Sequence, residues 1–496
     1  MEPFPRYKHI IDDYARFCEA LDSPLPLAIW TNPQRISPRR LAALLRGAGF
    51  DLKAVPWYPG AYRLPVGSRV GKRWEYFAGL CHIQEEAALL PVKMLDPRPG
   101  EYVLDMCASP GNKTAQIASA MKGNGTVVAN ELNSRRLPQL RQNCERLGYS
   151  NVALCNANGT NIPGHSTRFD RILVDAPCSC EGTTRKAPNL PLATDHRFTW
   201  RQHKLQCALM FKAAQLCKVG GRIVYATCTY APEENEMVVE SVLNRYGSDC
   251  LRLVDVEVPI PRYSSGLSEW DGHGFCEEMT KTVRVWPHQN DTGGFFVAVF
   301  EKVGEVADYE ECRKALSNPD IDGAEDAQRY GVEAVERFGV PPNFLGNASF
   351  MHGRSKQIYM TTCSHSPPEE AFSVKELGVR FVHKEGKHLR LTHPGALMLA
   401  PFATRNVVTL NAEELQLFLE RRSLYPRFNA LANCAAGTGY VLMRHQGVGV
   451  GLGSVRVDPE FGFTRIRSNF PKAWAYRVSP GSTGSRRVSP PRSKPD

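Results

Sequence analysis

Between residues 102 and 227, short apolar runs alternate with helix-patterned stretches, and this alternation most restricts what the chain can fold into. The runs are Tyr102–Met106, Thr126–Glu131, Val152–Cys155, Arg171–Asp175 and Arg222–Thr227. Strands separated by helices pair in parallel, and strands apolar throughout, such as Ile172–Leu173–Val174, suit a sheet covered on both faces. Between the fourth and fifth runs, Leu205, Leu209, Ala213 and Leu216 recur at helical spacing. Gly220–Gly221 is expected to stop that helix and lead into the strand. A last strand, Phe295–Phe300, closes the unit. The fold class is α/β, a doubly wound sheet spanning about residues 76–303.

At 496 residues the chain exceeds one core, and about three domains are expected. Residues 1–75 carry an amphipathic helix, His9–Leu21, and a second helix, PRRLAALLRGAG, for which Ser37 is the N-cap. Residues 304–340 are charged and helical in character and read as a linker. Residues 341–475 mix β and α patterns, with strands at Gln357–Thr361 and Val407–Leu410 and a glycine-rich β stretch at 439–455. The Pro/Ser/Arg-rich tail, 476–496, has too little apolar surface to fold. No run of about 18 apolar residues offers a membrane span, and the N-terminus lacks a signal-peptide core. An intracellular, reducing location is expected, cytoplasmic with nuclear or organellar compartments open.

The fifteen cysteines fit that location: their number is odd, they are scattered, and no pair of CxxC elements offers a zinc framework. Cys178 and Cys180 form only a CxC, so no metal site is expected, and most of the thiols read as packing. A net charge of +10 is compatible with a polyanionic partner.

The segment VLDMCASPGNKTAQIA (103–118) reads as strand, tight loop and helix. Asp105 sits at the carboxyl end of its strand, where open α/β sheets bind ligands. The loop residues Cys107, Ala108, Pro110 and Gly111 let the backbone pass close to a ligand. The glycine spacing is not GxGxxG, which argues against a dinucleotide. One βα unit later Glu131 ends a strand, placed to accept hydrogen bonds from both ribose hydroxyls of an adenosine.

Two further strands end in cysteines, ILVDAPCSCEG (172–182) and IVYATCTYAPEEN (223–235), and both ends face the crevice of Asp105. Cytosine chemistry gives such thiols work. Carbon C5 of cytosine is too weak a nucleophile to take a methyl group until a thiolate adds to C6 and makes C5 an enamine carbon. A base must then remove the C5 proton so that the thiol leaves, which is covalent catalysis dividing one hard step. Asp175 would hold the exocyclic amine and N3, with Pro177 fixing the backbone. Methylation of an exocyclic amine instead uses an aromatic residue in an Asp/Asn-Pro-Pro-Tyr/Phe motif, and here a thiol stands in that place. The residues alone do not choose between Cys178 and Cys228 as nucleophile.

With these motifs the chain resembles the NOL1/NOP2/Sun-domain family of RNA cytosine-5 methyltransferases over about residues 10–303. The matching set is GLCHIQEEAALLP (79–91), DMCASPGNKT (105–114), NEL (130–132), DAPCSCEGTTRK (175–186), YATCTYAPEENE (225–236) and RVWPHQNDTGGFF (284–296). PWYPGAYRLP and RIRSNFPKAWAYR are similar to the bacterial ribosomal-RNA branch, and RFGVPPNFLGNASFMHGRSKQIYM to the tRNA branch. The resemblance implies a Rossmann-like class I methyltransferase sheet, an N-terminal α/β extension and a C-terminal PUA/RRM-like RNA-binding region. It implies S-adenosyl-L-methionine as cofactor and rRNA or tRNA as partner. By carry-over, Cys228 is the nucleophile, Cys178 helps release the product, Asp175 contacts the base, and Lys113 lies near the cofactor's methionine end or the target ring. Asp105, Gly111 and Glu131 carry over as cofactor contacts. The family's Asp-Gly after the third strand is Asn158–Gly159 here, which predicts weaker binding of the adenine amine.

Arg185 and Lys186 are candidates for phosphate contacts, and the basic Pro38–Arg46 helix and GKHLRL (386–391) could extend the footprint. Two other readings compete. One is a catalytically silent RNA-binding or ribosome-assembly factor, against which the retained Cys228, Cys178, Asp175 and Glu131 argue. The other, a DNA cytosine methyltransferase, lacks its motif set and target-recognition insert.

Overall fold

The computed structural model describes residues 2–162, 169–186, 196–306, 325–353, 356–365, 372–385, 388–425, 439–457 and 464–475. The N-terminal part builds a small antiparallel sheet from β1 (Leu27–Thr31), β2 (Lys53–Ala54), β3 (Ala61–Leu64) and β4 (Cys81–Ile83), in the order β2-β3-β1-β4. Ile29 pairs with Ile83, so this unit runs past residue 75 and takes a strand from the block assigned to the catalytic domain. The helix after Ser37 forms as expected, Pro38–Gly47, with the Ser37 side chain accepting from the Arg40 amide. The first helix is shorter than its apolar pattern: it spans Tyr14–Asp22, because Asp13 caps it by accepting from the Arg16 amide. A separate turn at Pro5–Tyr7 precedes it.

The central sheet contains β5 (Tyr102–Asp105), β6 (Thr126–Asn130), β7 (Val152–Cys155), β8 (Phe169–Asp175) and β9 (Cys217–Thr227). They pair in parallel in the order β9-β8-β5-β6-β7. Val103, Leu104, Val127, Val128, Ile172, Leu173 and Val174 are fully buried. Burial of each such side chain is worth about 1.5–3 kcal/mol, so the sheet needs its helical cover on both faces. The chain leaves β5 towards β6 and β7, then returns to β8 on the opposite side. The order thus switches between β5 and β8, which opens a crevice at their carboxyl ends.

Phe295–Lys302 pairs antiparallel with β9. On the opposite edge, Val374–Leu377 pairs antiparallel with β7, so the C-terminal part contributes an edge strand to the ten-stranded sheet. The Gly220–Gly221 pair does not stop a helix. The helix His196–Leu216 passes directly into β9, and Gly220, at φ 83°, lies where the β8–β9 register shifts between Phe169–Cys217 and Arg171–Arg222.

The segment expected as a linker contains a helix, Glu325–Arg337, whose Ala327, Ala334 and Val335 are buried with Phe350, Ile358 and Phe381. That stretch is core of the C-terminal part. Residues 307–324 and the tail 476–496 lie outside the described residues. Beyond it come a four-stranded sheet containing Gln357–Thr362 and a five-stranded sheet containing Val407–Thr409, Gly439–His445 and Val448–Val457. Leu41, Leu45, Trp74 and Phe77 from the N-terminal part join Val408, Met443, Phe470 and Trp474 in one apolar cluster. The two ends of the chain therefore share a core. Among the described residues no helix is long and apolar enough to cross a membrane.

Candidate active site

The loop after β5 turns at Gly111, whose φ of 100° and contacts exclude a side chain: a Cβ would meet Leu140 Cδ1 at 2.8 Å and the Leu140 carbonyl oxygen at 3.2 Å. Helix Asn112–Ala120 starts there. The Thr114 hydroxyl donates to Asp105 Oδ2 at 2.6 Å, while Oδ1 is buried with no hydrogen-bond partner among the described residues. Burial pushes the Asp105 carboxyl up to about 7; the Asp175 and Glu131 charges add to this, and Thr114 and Lys113 oppose it.

The ends of the two neighbouring strands, β6 and β7, complete this half of the crevice. Glu131 follows β6, with Oε1 accepting from the Asn133 amide at 2.7 Å and Oε2 3.3 Å from Arg136. Asn130 donates to the carbonyls of Met106 and Ala157 and accepts from the Ala157 amide. It thereby ties together the loops after β5, β6 and β7, a role its place inside TVVANE did not signal. Asn158 is exposed, and its carbonyl oxygen accepts from the Thr160 amide at 3.2 Å and lies 3.0 Å from the Thr160 hydroxyl. The Pro110 carbonyl accepts from Asn143 at 2.8 Å, and burial raises the half-buried Cys107 thiol.

The other half is built from β8 and β9, adjacent and in register with Asp175 opposite Ala226. Their following loops emerge side by side and bring Cys178 Sγ to 3.5 Å from Cys228 Sγ. Cys180 Sγ joins them, 4.0 Å from Cys178 Sγ. Hydrogen bonding within the trio splits the acidities. Cys178 is raised by bonding to Cys180 and Cys228 and by burial, whereas Cys180 is lowered by bonding from Cys178 and Cys228. For Cys228, bonding from Cys178 lowers the value, but Cys180 and burial outweigh it, so it rises. One thiolate is therefore stabilised and a second opposed. Lys113 Nζ donates to Asp175 Oδ2 at 2.8 Å and lies 5.1 Å from the Phe295 ring centroid. Burial alone would lower the Lys113 ammonium; the Asp175 charge and hydrogen bond more than offset that, and it stays protonated.

Two buried acids hold the thiol loops. Glu234 accepts from the Ser179 amide at 3.1 Å and from Gln206 at 2.9 Å, and Gln206 also donates to the Pro177 carbonyl. Glu181 accepts from the Thr229 hydroxyl, the Tyr230 amide and the Tyr7 hydroxyl. Neither acid was among the sequence-predicted site residues, although both lie inside the two cysteine motifs.

Comparison with known proteins places this geometry. Residues 92–301 match the family model for the 16S rRNA methyltransferase RsmB/F, and residues 5–86 match the N-terminal domain of 16S rRNA methyltransferase RsmF. A tRNA (cytosine(49)-C(5))-methyltransferase of Pyrococcus abyssi is 34% identical over 294 residues, covering 59% of this chain and 93% of the relative. The ribosomal RNA small subunit methyltransferase F of Aeromonas salmonicida is 30% identical over 463 residues, 89% of this chain and 90% of the relative. The chain belongs to the RsmB/F (NOL1/NOP2/Sun) family. It is an RNA (cytosine-5)-methyltransferase, and S-adenosyl-L-methionine is its methyl donor. A solved methyltransferase homologue from Pyrococcus horikoshii shares the fold, with 33% identity and a TM-score of 0.53 over 59% of this chain and 91% of that one.

This RsmB/F-family protein departs from one expectation about RNA. Arg185 is buried and its guanidinium is spent inside the protein, on the carbonyls of Ser23, Pro24 and Thr292 and on the Asp291 carboxylate. It anchors the loop and does not reach a phosphate. Lys186 is exposed, as are Arg39 and Arg46 on the N-terminal helix, while Arg40 donates to the Gln446 carbonyl. Residues 386–387 of the basic GKHLRL stretch lie outside the described residues. A feature not anticipated is a cavity of about 730 Å³ in the C-terminal part, lined among the described residues by Arg337, Arg421, Arg456, Arg465 and Arg467 and by the acid Glu333.

Proposed function

We propose that this protein methylates C5 of a cytosine in structured ribosomal or transfer RNA, with Cys228 as the attacking thiolate and Cys178 as the group that assists release. The observation that carries this reading is the 3.5 Å approach of the two thiols at adjacent strand ends, beside the Lys113–Asp175 pair. Cys228 Sγ adds to C6, forming the S–C6 bond and moving electron density to C5. Cys178, hydrogen-bonded to Cys228, stabilises that thiolate before attack. With Cys228 tied up in the S–C6 bond, Cys178 gives its own thiol proton to solvent. After transfer the resulting thiolate takes the C5 proton as the C5–C6 double bond re-forms, the S–C6 bond breaks and Cys228 leaves as thiolate. Asp175, oriented by Lys113, accepts from the exocyclic amine, while the Lys113 ammonium offsets the negative charge that develops on the ring.

The cofactor fits the other half of the crevice. Glu131 accepts from the ribose hydroxyls, and the unpartnered Asp105 Oδ1 is an acceptor for the methionine ammonium. Cys107, Ala108, Pro110 and Gly111 wall the loop, with Lys113, Asn158 and Asp175 as further contacts. Bound there, S-adenosyl-L-methionine supplies an electrophilic sulfonium methyl group to C5.

The small-subunit rRNA branch is favoured, because its alignment extends over 89% of the chain and so takes in the C-terminal part. The five-arginine cavity there suits phosphate, and the target base must be unpaired or flipped to meet the thiol. Transfer of labelled methyl to separated rRNA and tRNA pools, followed by bisulfite sequencing, tests the substrate. Cys228→Ala should abolish transfer in a folded protein; residual full activity overturns the nucleophile. Cys178→Ala should accumulate a protein–RNA adduct on denaturing gels, and a clean gel removes its release role.

A further inference from the structure

Cys180 has no task in the proposed methyl transfer, yet its sulfur completes a triangle with the two reacting thiols. Cys178 Sγ lies 3.5 Å from Cys228 Sγ and 4.0 Å from Cys180 Sγ, and all three lie within 4.8 Å of one another. Zinc–thiolate bonds of about 2.3 Å in tetrahedral geometry set neighbouring sulfurs about 3.8 Å apart. The two spacings at Cys178 bracket that value, and the third exceeds it by an ångström at most, so small side-chain adjustments bring all three sulfurs to one ion.

The triangle is also held in place. Cys180 adopts a left-handed backbone, φ 60°, a conformation non-glycine residues rarely take. Glu234 and Glu181 fix the loops on either side through Ser179, Thr229 and Tyr230. All three cysteines are partly exposed, so an ion and a fourth, water ligand have access.

We infer that Cys178, Cys180 and Cys228 bind one thiophilic divalent cation of the zinc class, and that the bound ion blocks methyl transfer. The blocking arm rests on the catalytic roles proposed for Cys178 and Cys228; the binding arm does not. Binding releases to solvent the protons the three thiols still carry, forms three metal–sulfur bonds and displaces water from the ion, with no change of oxidation state. Soft thiolates discriminate against Mg²⁺, so the magnesium that accompanies RNA does not compete.

The test is an anaerobic Co²⁺ titration of the full-length protein in a phosphine reductant. The expected result is one Co²⁺ per chain, with thiolate-to-metal charge transfer in the near ultraviolet and tetrahedral bands in the visible, both erased by Zn²⁺. Cys180→Ser should weaken Co²⁺ binding by more than about 100-fold, since loss of a group merely behind a ligand already costs about 10–100-fold. Cys180→Gly, which accepts the left-handed backbone freely, should do the same. The methyl transfer these variants retain should resist Zn²⁺, whereas the wild type should be inhibited and then restored by a chelator. Absence of the charge-transfer band in the wild type, or equal Co²⁺ affinity in the Cys180 variants, overturns the inference. The cobalt spectrum does not depend on catalysis, so its failure is distinguishable from failure of the Cys228 assignment, which the activity of Cys228→Ala decides.

Discussion

Replacing Asp105 by asparagine should trade cofactor binding for stability in a way that depends on pH. The Asp105 carboxyl is raised from 3.8 to about 7 by burial, so the folded chain holds its proton more tightly than the unfolded chain does. For an acid shifted in this direction, stability is greatest below the unfolded value and declines as pH rises towards the folded one. Each pKa unit is worth about 1.4 kcal/mol, which makes the wild type lose roughly 2–3 kcal/mol between pH 5 and pH 8. Asparagine does not titrate. Its amide nitrogen would occupy the place of the unpartnered Oδ1, at a cost of about 1–3 kcal/mol that is the same at both pH values. The stability gap between variant and wild type should therefore swing by roughly 2–3 kcal/mol in favour of the variant on going from pH 5 to pH 8. For a unit the size of the catalytic domain that is about 5–10 °C in Tm. Thermal melts of both proteins across this range measure the swing, and calorimetric titration with S-adenosylhomocysteine should show at least about tenfold weaker binding. A gap that stays constant with pH would refute the raised Asp105 carboxyl.

Asn158→Asp should tighten the cofactor. The Asn158 carbonyl oxygen is engaged by Thr160, so the amide presents donors where the adenine amine needs an acceptor. A gain of about 1 kcal/mol would lower the KM for S-adenosyl-L-methionine about fivefold, read in steady-state kinetics at saturating RNA. Arg185→Ala should destabilise the fold by about 2–4 kcal/mol while leaving the KM for RNA unchanged in the folded fraction. Chemical denaturation and RNA titration separate the two effects.

The parallel sheet was legible because β5 to β9 are buried on both faces and their apolar runs need no periodicity to be seen; predicted ends fall within a residue or two for β5, β6, β7 and β8. The start of β9 was missed by several residues, because a glycine pair that usually ends a helix here bulges within a strand. The edge strand Val374–Leu377 was invisible, since nothing local tells a four-residue segment that its partner is β7, more than two hundred residues earlier. Within the site, candidates at strand ends could be named because chemistry and topology agree there, and Cys178 does lie beside Cys228 and Lys113 beside Asp175. Asn130, Glu181 and Glu234 were not named, because their work is to bind loops distant in sequence, and an isolated buried acid or amide carries no spacing signal. Arg185 failed the opposite way. A basic residue beside a catalytic loop reads as a phosphate contact, but its guanidinium is consumed by three backbone carbonyls and Asp291.

The buried acids explain how the two thiols stay in register for the roles proposed for them. In that proposal, adding Cys228 to C6 and later removing the C5 proton through Cys178 require both sulfurs to face one ring, and an error of an ångström costs orders of magnitude in rate. Loops ordinarily lack that precision. Here the Cys178 loop and the Cys228 loop are joined directly, by Ser179 to Thr229 at 2.6 Å and by the Gly182 amide to the Cys228 carbonyl at 2.9 Å. Glu181, in the Cys178 loop, accepts from Thr229 and Tyr230 of the other, and Glu234, in the Cys228 loop, accepts from Ser179 of the first; both carboxyls are raised by burial, Glu234 to about 7. Holding such acids inside is unfavourable unless their hydrogen bonds are kept, so any movement that separates the loops also strands a buried carboxyl. The N-terminal turn takes part through the Tyr7 hydroxyl on Glu181, and Arg6 pairs with Glu233 in the same 230s loop. The N-terminal segment is thus a clamp on the reaction centre, whatever RNA the rest of that domain engages.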